Sequence, residues 1–277
     1  TPPHATMLPA VLAVAAAFIG KKLLKPKKRT RVVGVIPARY GSSRFPGKPL
    51  VDIAGKPMII RTYEQAKLAT KLDMIVVATD DERIKKVCEE AGANVVMTAS
   101  EIPNGTERCH AAVAQLKQKF DIVVNIQGDE PLIEPEIIDG VVTALQEAPD
   151  AVYSTACTPL KTEEVAMRGR VKVILDKDGY AIYFSRGVLP HNKKGEVVKD
   201  YNYLLHLGLQ CYDRKFLADY SVMPASPIQL QEDLEQLKCL ENGYRIKCIV
   251  VDHSAHGVDE PEDVASIEAI MRKLGMV

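Results

Sequence analysis

Residues 32–50 read VVGVIPARYGSSRFPGKPL, an apolar run that passes straight into a loop carrying Arg39, Arg44 and Lys48. Val32, Val33, Val35 and Ile36 form a near-continuous β-branched run, the pattern of a strand buried on both faces of a parallel sheet. No acid stands between Arg31 and Asp52, so three cations and two loop glycines, Gly41 and Gly47, gather where that strand ends. Glycine lets backbone N–H groups approach an anion closely, and fixed guanidinium and ammonium groups neutralise its charge. In open α/β sheets such ligands bind beyond the carboxyl ends of the strands. The stretch therefore predicts a polyphosphate cradle. It is not a P-loop, which needs four residues between its glycines and then Lys-Ser or Lys-Thr. Here five residues separate Gly41 from Gly47, and Pro49 follows Lys48.

Outward from this stretch the chain alternates. Candidate strands lie at 32–36, 74–79, 122–126, 151–155, 171–175 and 246–251, and candidate helices at 57–70, 81–91, 106–120 and 135–147. Such alternation predicts a mostly parallel α/β sheet flanked by helices. Asp80 and Thr106 stand at positions suited to helix N-caps. The basic and polar stretch 186–203, with HNKKGEVVKD inside it, breaks the pattern and reads as an excursion or small inserted subdomain near 180–215.

Composition bounds the function. The chain has 277 residues, 47% hydrophobic and 26% charged, enough for a sizeable core. Lys plus Arg equals Asp plus Glu at 36 each, so the molecule as a whole exerts no long-range pull on nucleic acid, and any anion site must be local. The six cysteines are scattered without metal-ligand spacing, which reads as reduced, mostly buried thiols rather than zinc ligands or disulfides.

The first 30 residues differ from the rest. LPAVLAVAAAFIG at 8–20 is uncharged and nearly all apolar, and Lys21, Lys22, Lys25, Lys27, Lys28 and Arg29 follow it. A spanning helix needs roughly 17–25 residues, so the run is a marginal span. Three readings compete: a signal-anchor, which is the preferred one, an organelle targeting segment, and a disordered tail. The preferred reading brings residues 8–29 into membrane contact, at a mitochondrial or other organellar membrane, with a cytoplasmic protein as the alternative. Charges placed after the apolar run argue against a cleaved secretory signal. Pro26 ends any helix, leaving Arg31 as the natural start of a soluble domain over 31–277.

Two acids stand out. QGDEP follows the buried strand at 122–126 and brings Asp129 to the same sheet edge as the cationic loop, and HGVDEPED brings Asp259 there after the last strand. Two carboxylates delivered to one mouth can hold a hard divalent cation, and Mg²⁺ suits a site beside a triphosphate. Each acid also has a plain structural reading: Asp129 as a turn acid, and Asp259 as an N-cap before Pro261.

In order along the chain, IPARYGSSRFPGKPL, VVATDDERI, NGTER, VNIQGDEP, VKVILDKDGYAIYFSR, LLHLG, DLEQLKCLENG and HGVDEPEDV resemble the motifs of the 3-deoxy-manno-octulosonate (Kdo) cytidylyltransferases, or CMP-Kdo synthetases. The resemblance runs from Arg31 to Met271, and the N-terminal extension and the Gln210-Cys211 pair look like the plant form. It implies that CTP and Kdo give CMP-Kdo and pyrophosphate with Mg²⁺. The implied fold is a nucleotide-binding sheet of the glycosyltransferase-A-like, nucleotide-diphospho-sugar transferase kind, with an inserted element that helps form a homodimer. A cytidylyltransferase for another acidic sugar, such as a sialic acid, is the nearest alternative; a non-catalytic nucleotide-binding protein is a more distant one.

By the same resemblance, Arg39, Ser42, Arg44 and Lys48 grip the triphosphate, with Lys48, Arg44, Asp129 and Asp259 the catalytic set and the two aspartates the metal ligands. Thr106, Arg108 and Gln127 line the nucleotide side, Gln127 also at the junction with the sugar. Arg186, His206, Glu235 and Gln236 surround the Kdo carboxylate and hydroxyls. The mechanism implied is in-line attack of the anomeric hydroxyl on the α-phosphorus, carried by positioning and charge. His206 reads as a hydrogen-bond donor to the sugar acid rather than a base, and no dedicated base is identifiable. Gln210 departs from the pattern, standing where bacterial members commonly have Tyr; it can hydrogen-bond but cannot stack.

Overall fold

The computed structural model describes residues 30–41, 45–253 and 257–277. The anchor or targeting expectation for residues 8–29, and the triphosphate roles expected of Ser42 and Arg44, lie outside the described residues. Among the described residues no helix is long and apolar enough to cross a membrane.

Strand β1 (Val32–Ala38) is followed by a short ribbon of β2 (Asp52–Ile53) and β3 (Lys56–Pro57) and by helix α1 (Met58–Ala66). Then come β4 (Met74–Thr79), α2 (Glu82–Glu90), β5 (Asn94–Met97), α3 (Gly105–Gln115), β6 (Ile122–Asn125), α4 (Pro135–Glu147) and β7 (Ala151–Pro159). A hairpin of β8 (Lys172–Leu175) and β9 (Ala181–Ser185) precedes β10 (Leu204–Asp213). Helices α5 (Arg214–Val222), α6 (Pro227–Glu232) and α7 (Gln236–Glu241), strand β11 (Arg245–Val250) and helix α8 (Asp263–Lys273) complete the chain.

The main sheet has the order β11-β7-β10-β6-β1-β4-β5. Its pairings are parallel except along β10, which runs antiparallel to both β6 and β7. From β1 the chain first builds outward through β4 and β5, then crosses back to lay β6 on the other side of β1. The carboxyl ends of β1 and β6 therefore flank a switch point, where a crevice opens in doubly wound sheets.

The unbroken apolar character of β1 is explained by burial on both sides. Val32 and Ile36 join one core layer with Ile59, Ile60, Ile84, Ile137, Ile138, Val141 and Val142. Val33 and Val35 join the other with Cys109, Ala112, Val113, Phe216, Leu217, Leu237 and Cys239. Each Val, Leu, Ile or Phe among them, fully buried, contributes about 1.5–3 kcal/mol relative to exposure. Helix α8 packs separately: Ile267 and Met271 meet Ile53, Met58, Leu132 and Val258 beneath the loop that carries Asp259.

The expected strands and helices are present, with shorter helix ends. The helix expected at 57–70 closes at Ala66 and that at 106–120 at Gln115. Two expected caps are corrected. Asp81, not Asp80, accepts from the Arg83 N–H and caps α2, and Asn104, not Thr106, accepts from the Glu107 N–H and caps α3. The excursion at 186–203 contains no strand of the main sheet, whereas β10 is a central strand; the sequence pattern misses it because Leu205, Leu207, Leu209 and Cys211 alternate with His206, Gly208, Gln210 and Tyr212, so no unbroken apolar run marks it.

Candidate active site

Lys48 lies on a short 3-10 turn, Lys48–Leu50, entered through Gly47 at φ 72°. The Gly47 N–H donates to the Tyr40 carbonyl at 3.0 Å and the Leu50 N–H to the Gly47 carbonyl at 2.8 Å, which closes the loop after β1. A Cβ on Gly47 would sit 3.1 Å from the Tyr40 ring, so both conformation and space call for glycine here. The Tyr40 ring also carries Arg83, its guanidinium 3.3 Å from the centroid and paired with Asp81.

The ammonium of Lys48 donates to Asp129 Oδ2 at 2.6 Å and lies 3.7 Å from Asp259 Oδ1. Asp129 comes from the turn after β6, and Asp259 from the loop after β11. The Val258 N–H donates to the Asp129 carbonyl at 2.9 Å, stitching the two segments together. Asp259 does not cap α8: Glu262 is the cap residue, and the Asp259 and Glu260 N–H groups both donate to Asp263 Oδ2, at 2.8 and 2.9 Å. Its own carboxylate is left to face Lys48. Glu130, half-buried beside them, is pushed up to about 8 by desolvation and then by the Asp129 and Asp259 charges. At that value Glu130 is protonated at neutral pH, so one ammonium faces two carboxylates, a surplus of negative charge that calls for a further cation. Among the described residues no three acidic, His or Cys side chains are arranged to hold a metal by themselves.

These groups lie in a cleft of about 400 Å³ whose lining includes Arg39, Lys48, Asn104, Gly105, Arg108, Gln127, Asp129, Asp233, Glu235 and Asp259. Arg39, exposed, stands directly after β1. Arg108 is 2% exposed; it donates to Thr98 Oγ1 at 2.6 Å and to the Ala99 carbonyl at 3.3 Å, and faces Asp80 at 3.6 Å. Burial holds its guanidinium below the ordinary arginine range. Asp80 is thus the ion partner of a residue that lines the cleft. Gln127 donates to the Gly208 carbonyl at 3.1 Å, and a Cβ on Gly208 would come within 2.9 Å of the Gln127 side chain, so β10 can approach this wall only through glycine.

The remaining expected site residues, Thr106, Arg186, His206 and Gln236, are not among those that line the cleft. Thr106 is fully buried and donates to Glu235 Oε2. Arg186 donates to the Glu232 and Asp233 carbonyls at 2.8 and 3.1 Å, holding the turn that leads to Glu235. His206 Nε2 meets Thr155 Oγ1 at 2.9 Å; since that hydroxyl donates to the Leu209 carbonyl at 2.6 Å, the imidazole is the donor. Its Nδ1 accepts from Gln236 at 3.5 Å. Burial drives His206 down to about 4, so it is neutral at pH 7 and a weak base. Burial also raises the Glu235 carboxyl, against the donation from Thr106 that lowers it.

Glu130, Asp233 and Asn104 join the site without having been expected from sequence. Glu130 adjoins Asp129 in QGDEP and could have been found by proximity; Asp233 sits in a left-handed turn, φ 53°, with no local signal.

An open α/β sheet with phosphate-suited cations, paired acids and a helix N-terminus at its switch point defines a nucleotidyltransferase-type centre, and the sequence profile of the cytidylyltransferase family matches residues 33–247. The chain is 61% identical over 266 residues to the 3-deoxy-manno-octulosonate cytidylyltransferase, mitochondrial, of Arabidopsis thaliana, covering 95% of this chain and 92% of the relative. It is 62% identical over 244 residues to the 3-deoxy-manno-octulosonate cytidylyltransferase of Zea mays, covering 88% and 82%. A solved structure of CMP:2-keto-3-deoxy-manno-octonic acid synthetase in complex with CTP superposes with a TM-score of 0.83 at 36% identity, over 88% of this chain and 99% of that one. The chain belongs to the 3-deoxy-manno-octulosonate cytidylyltransferase family.

Proposed function

We propose that the protein activates Kdo: CTP and 3-deoxy-manno-octulosonate give CMP-Kdo and pyrophosphate. The observation that carries the reading is the Lys48 ammonium set between Asp129 and Asp259 at the switch point, beside Arg39. The anomeric hydroxyl attacks the α-phosphorus, the bond from phosphorus to the oxygen bridging the α- and β-phosphates breaks, pyrophosphate departs with both electrons of that bond, and the hydroxyl proton passes to solvent water. Lys48 and Arg39 neutralise the charge that grows on it; such transfer is governed by positioning and electrostatics rather than covalent participation by the protein. The Asp129–Asp259 pair, with carboxylate oxygens only and surplus negative charge around Lys48, suits a hard cation, which we assign as Mg²⁺. Bound there, the ion supplies charge neutralisation for phosphate oxygens and acidifies the sugar hydroxyl. Glu235 on the cleft wall and Gln236, His206 and Arg186 behind it are assigned to the sugar side, and Arg108 and Gln127 to the nucleotide side, with the pinned Thr106, whose hydroxyl meets Glu235, at the junction with the sugar.

Two further elements belong to the same reading. Exposed Ile182 on β9 and Ile228 and Leu230 on α6 support a second copy of this chain covering that surface, a homodimer built near the inserted segment. The basic, apolar segment 8–29 and the mitochondrial name of the Arabidopsis relative support an organellar location for the 31–277 catalytic domain.

Pyrophosphate release from CTP and Mg²⁺ by the full chain, with Kdo and a sialic acid offered in parallel, tests the substrate. Release with Kdo alone is expected. Release with the sialic acid instead keeps the cradle and overturns the sugar, and release with neither overturns the activity.

A further inference from the structure

Behind Glu235 runs a buried file of polar side chains. Gln210 and Tyr212 alternate onto the same face of β10, and Gln210 is paired across the sheet with Asn125 at the end of β6. Gln210 Oε1 accepts from Asn125 Nδ2 at 2.9 Å and from the Tyr212 hydroxyl at 2.7 Å. The Tyr212 and Thr106 hydroxyls are 2.9 Å apart, and Thr106 Oγ1 meets Glu235 Oε2. Asn125, Gln210, Tyr212 and Thr106 are all at most 7% exposed. The Tyr212 ring is further fixed by stacking on Tyr153, centroids 4.8 Å apart.

Counting hydrogens along this file exposes a constraint. Tyr212 has one hydrogen, and giving it to Gln210 leaves only the Thr106 hydrogen for two contacts, one to Tyr212 and one to Glu235. Two arrangements satisfy every contact with the same heavy atoms. In the first, Glu235 is a carboxylic acid donating to Thr106, and each hydroxyl donates onward toward the Gln210 carbonyl. In the second, the Gln210 and Asn125 amides are both turned over: Gln210 donates to Asn125 and to Tyr212, Tyr212 to Thr106, and Thr106 to a charged Glu235. Asn125 Oδ1 has no partner in the first arrangement and gains Gln210 in the second. An amide at position 210 serves both, since it offers an acceptor on one side and a donor on the other.

We propose that Gln210, Tyr212 and Thr106 are positioning residues, a buried hydrogen-bond relay that fixes the Glu235 carboxyl at the cleft wall and adapts to its charge, so setting affinity for the acidic sugar rather than for CTP. The proposal rests on the reading that Glu235 meets the sugar. The charged groups acting on Glu235 are Glu107 on α3, which raises its affinity for a proton, and Lys238 on α7, which lowers it. The neutral Tyr153, Tyr212, Tyr220, Cys109 and Cys239 complete its titratable surroundings.

The test compares Tyr212→Phe, Glu235→Gln and the double variant in the full chain; the phenyl ring keeps the stack on Tyr153. Loss of one buried hydrogen bond of about 1.4 kcal/mol corresponds to a tenfold effect. Tyr212→Phe should raise KM for Kdo about tenfold, leave KM for CTP within twofold, and add nothing further in the Glu235→Gln background. Equal losses in both backgrounds, or a parallel rise in both KM values, overturn the relay. A second readout is independent of turnover: the ¹³C resonance of the Glu235 carboxyl, titrated with pH, should show a lower midpoint in Tyr212→Phe than in the parent, because the acid arrangement loses the acceptor of the Thr106 hydrogen whereas the charged one keeps the Thr106 donation. An unchanged midpoint overturns the relay. Should the parent turn over no acidic sugar, the functional reading fails, and the carboxyl titration still decides whether the relay exists.

Discussion

His206 offers a quantitative test of how burial sets the charge of a side chain on β10. Its folded-state value of about 4 lies below the ordinary 6.5, because the buried ring is desolvated and donates to Thr155 as a neutral imidazole. As pH falls below 6.5 the unfolded chain takes up a proton on this residue, whereas the folded chain does not until about pH 4. Stability from this group is therefore intact above 6.5 and lost progressively toward 4. Each pH unit is worth 1.36 kcal/mol, so between pH 7 and pH 5 the loss is about 2 kcal/mol. His206→Gln retains a donor toward Thr155 and removes the titration. Urea unfolding of parent and variant at the two pH values isolates the term, because every other titrating group is shared. The parent should lose about 2 kcal/mol more than the variant on acidification. Equal losses would show that His206 is not held neutral. The same variant should leave the pH dependence of kcat near neutrality unchanged, since a group at about 4 does not supply its base limb.

Gly47→Ala should cost about 1–2 kcal/mol of stability in urea, from the left-handed backbone alone, and should raise KM for CTP because the Tyr40 ring must move. A neutral substitution would show that the loop is not held in the conformation described. The six cysteines are buried, and burial pushes Cys88 up to about 11 and Cys157, Cys211 and Cys239 to about 12. An aromatic disulfide reagent at pH 8 should therefore label the thiols only as the chain unfolds, with rapid labelling of the native protein the contrary result.

The fold was legible where burial is two-sided. Val32–Ala38 and Met74–Thr79 announce themselves as strands because both faces are covered, so no polar residue interrupts them. β10 was illegible for the opposite reason: it lines a functional wall, and His206, Gly208 and Gln210 are there for contacts other than apolar packing. The convergence of Lys48, Asp129 and Asp259 was legible because all three follow apolar strands of one sheet, so the topology brings them to one edge. The depth of Thr106 and the bracing contacts of His206 and Arg186 were not, since a polar residue in a motif reads the same whether it touches a ligand or braces a residue that does. The caps at Asp81 and Asn104 were each missed by one or two positions, because Asp-Asp and Asn-Gly-Thr offer adjacent candidates and only backbone geometry chooses between them.

The pairing of Asp259 with Lys48 across the sheet edge is the centre of the functional reading, and pyrophosphate release by Asp259→Asn, titrated with Mg²⁺ in the presence of CTP and Kdo, tests it most directly. Loss of a ligand charge at a phosphoryl-transfer centre should lower kcat by at least about a hundredfold and leave it low at saturating Mg²⁺. Turnover near that of the parent protein at the same Mg²⁺ concentration would contradict the assignment of Asp259 to the reacting site.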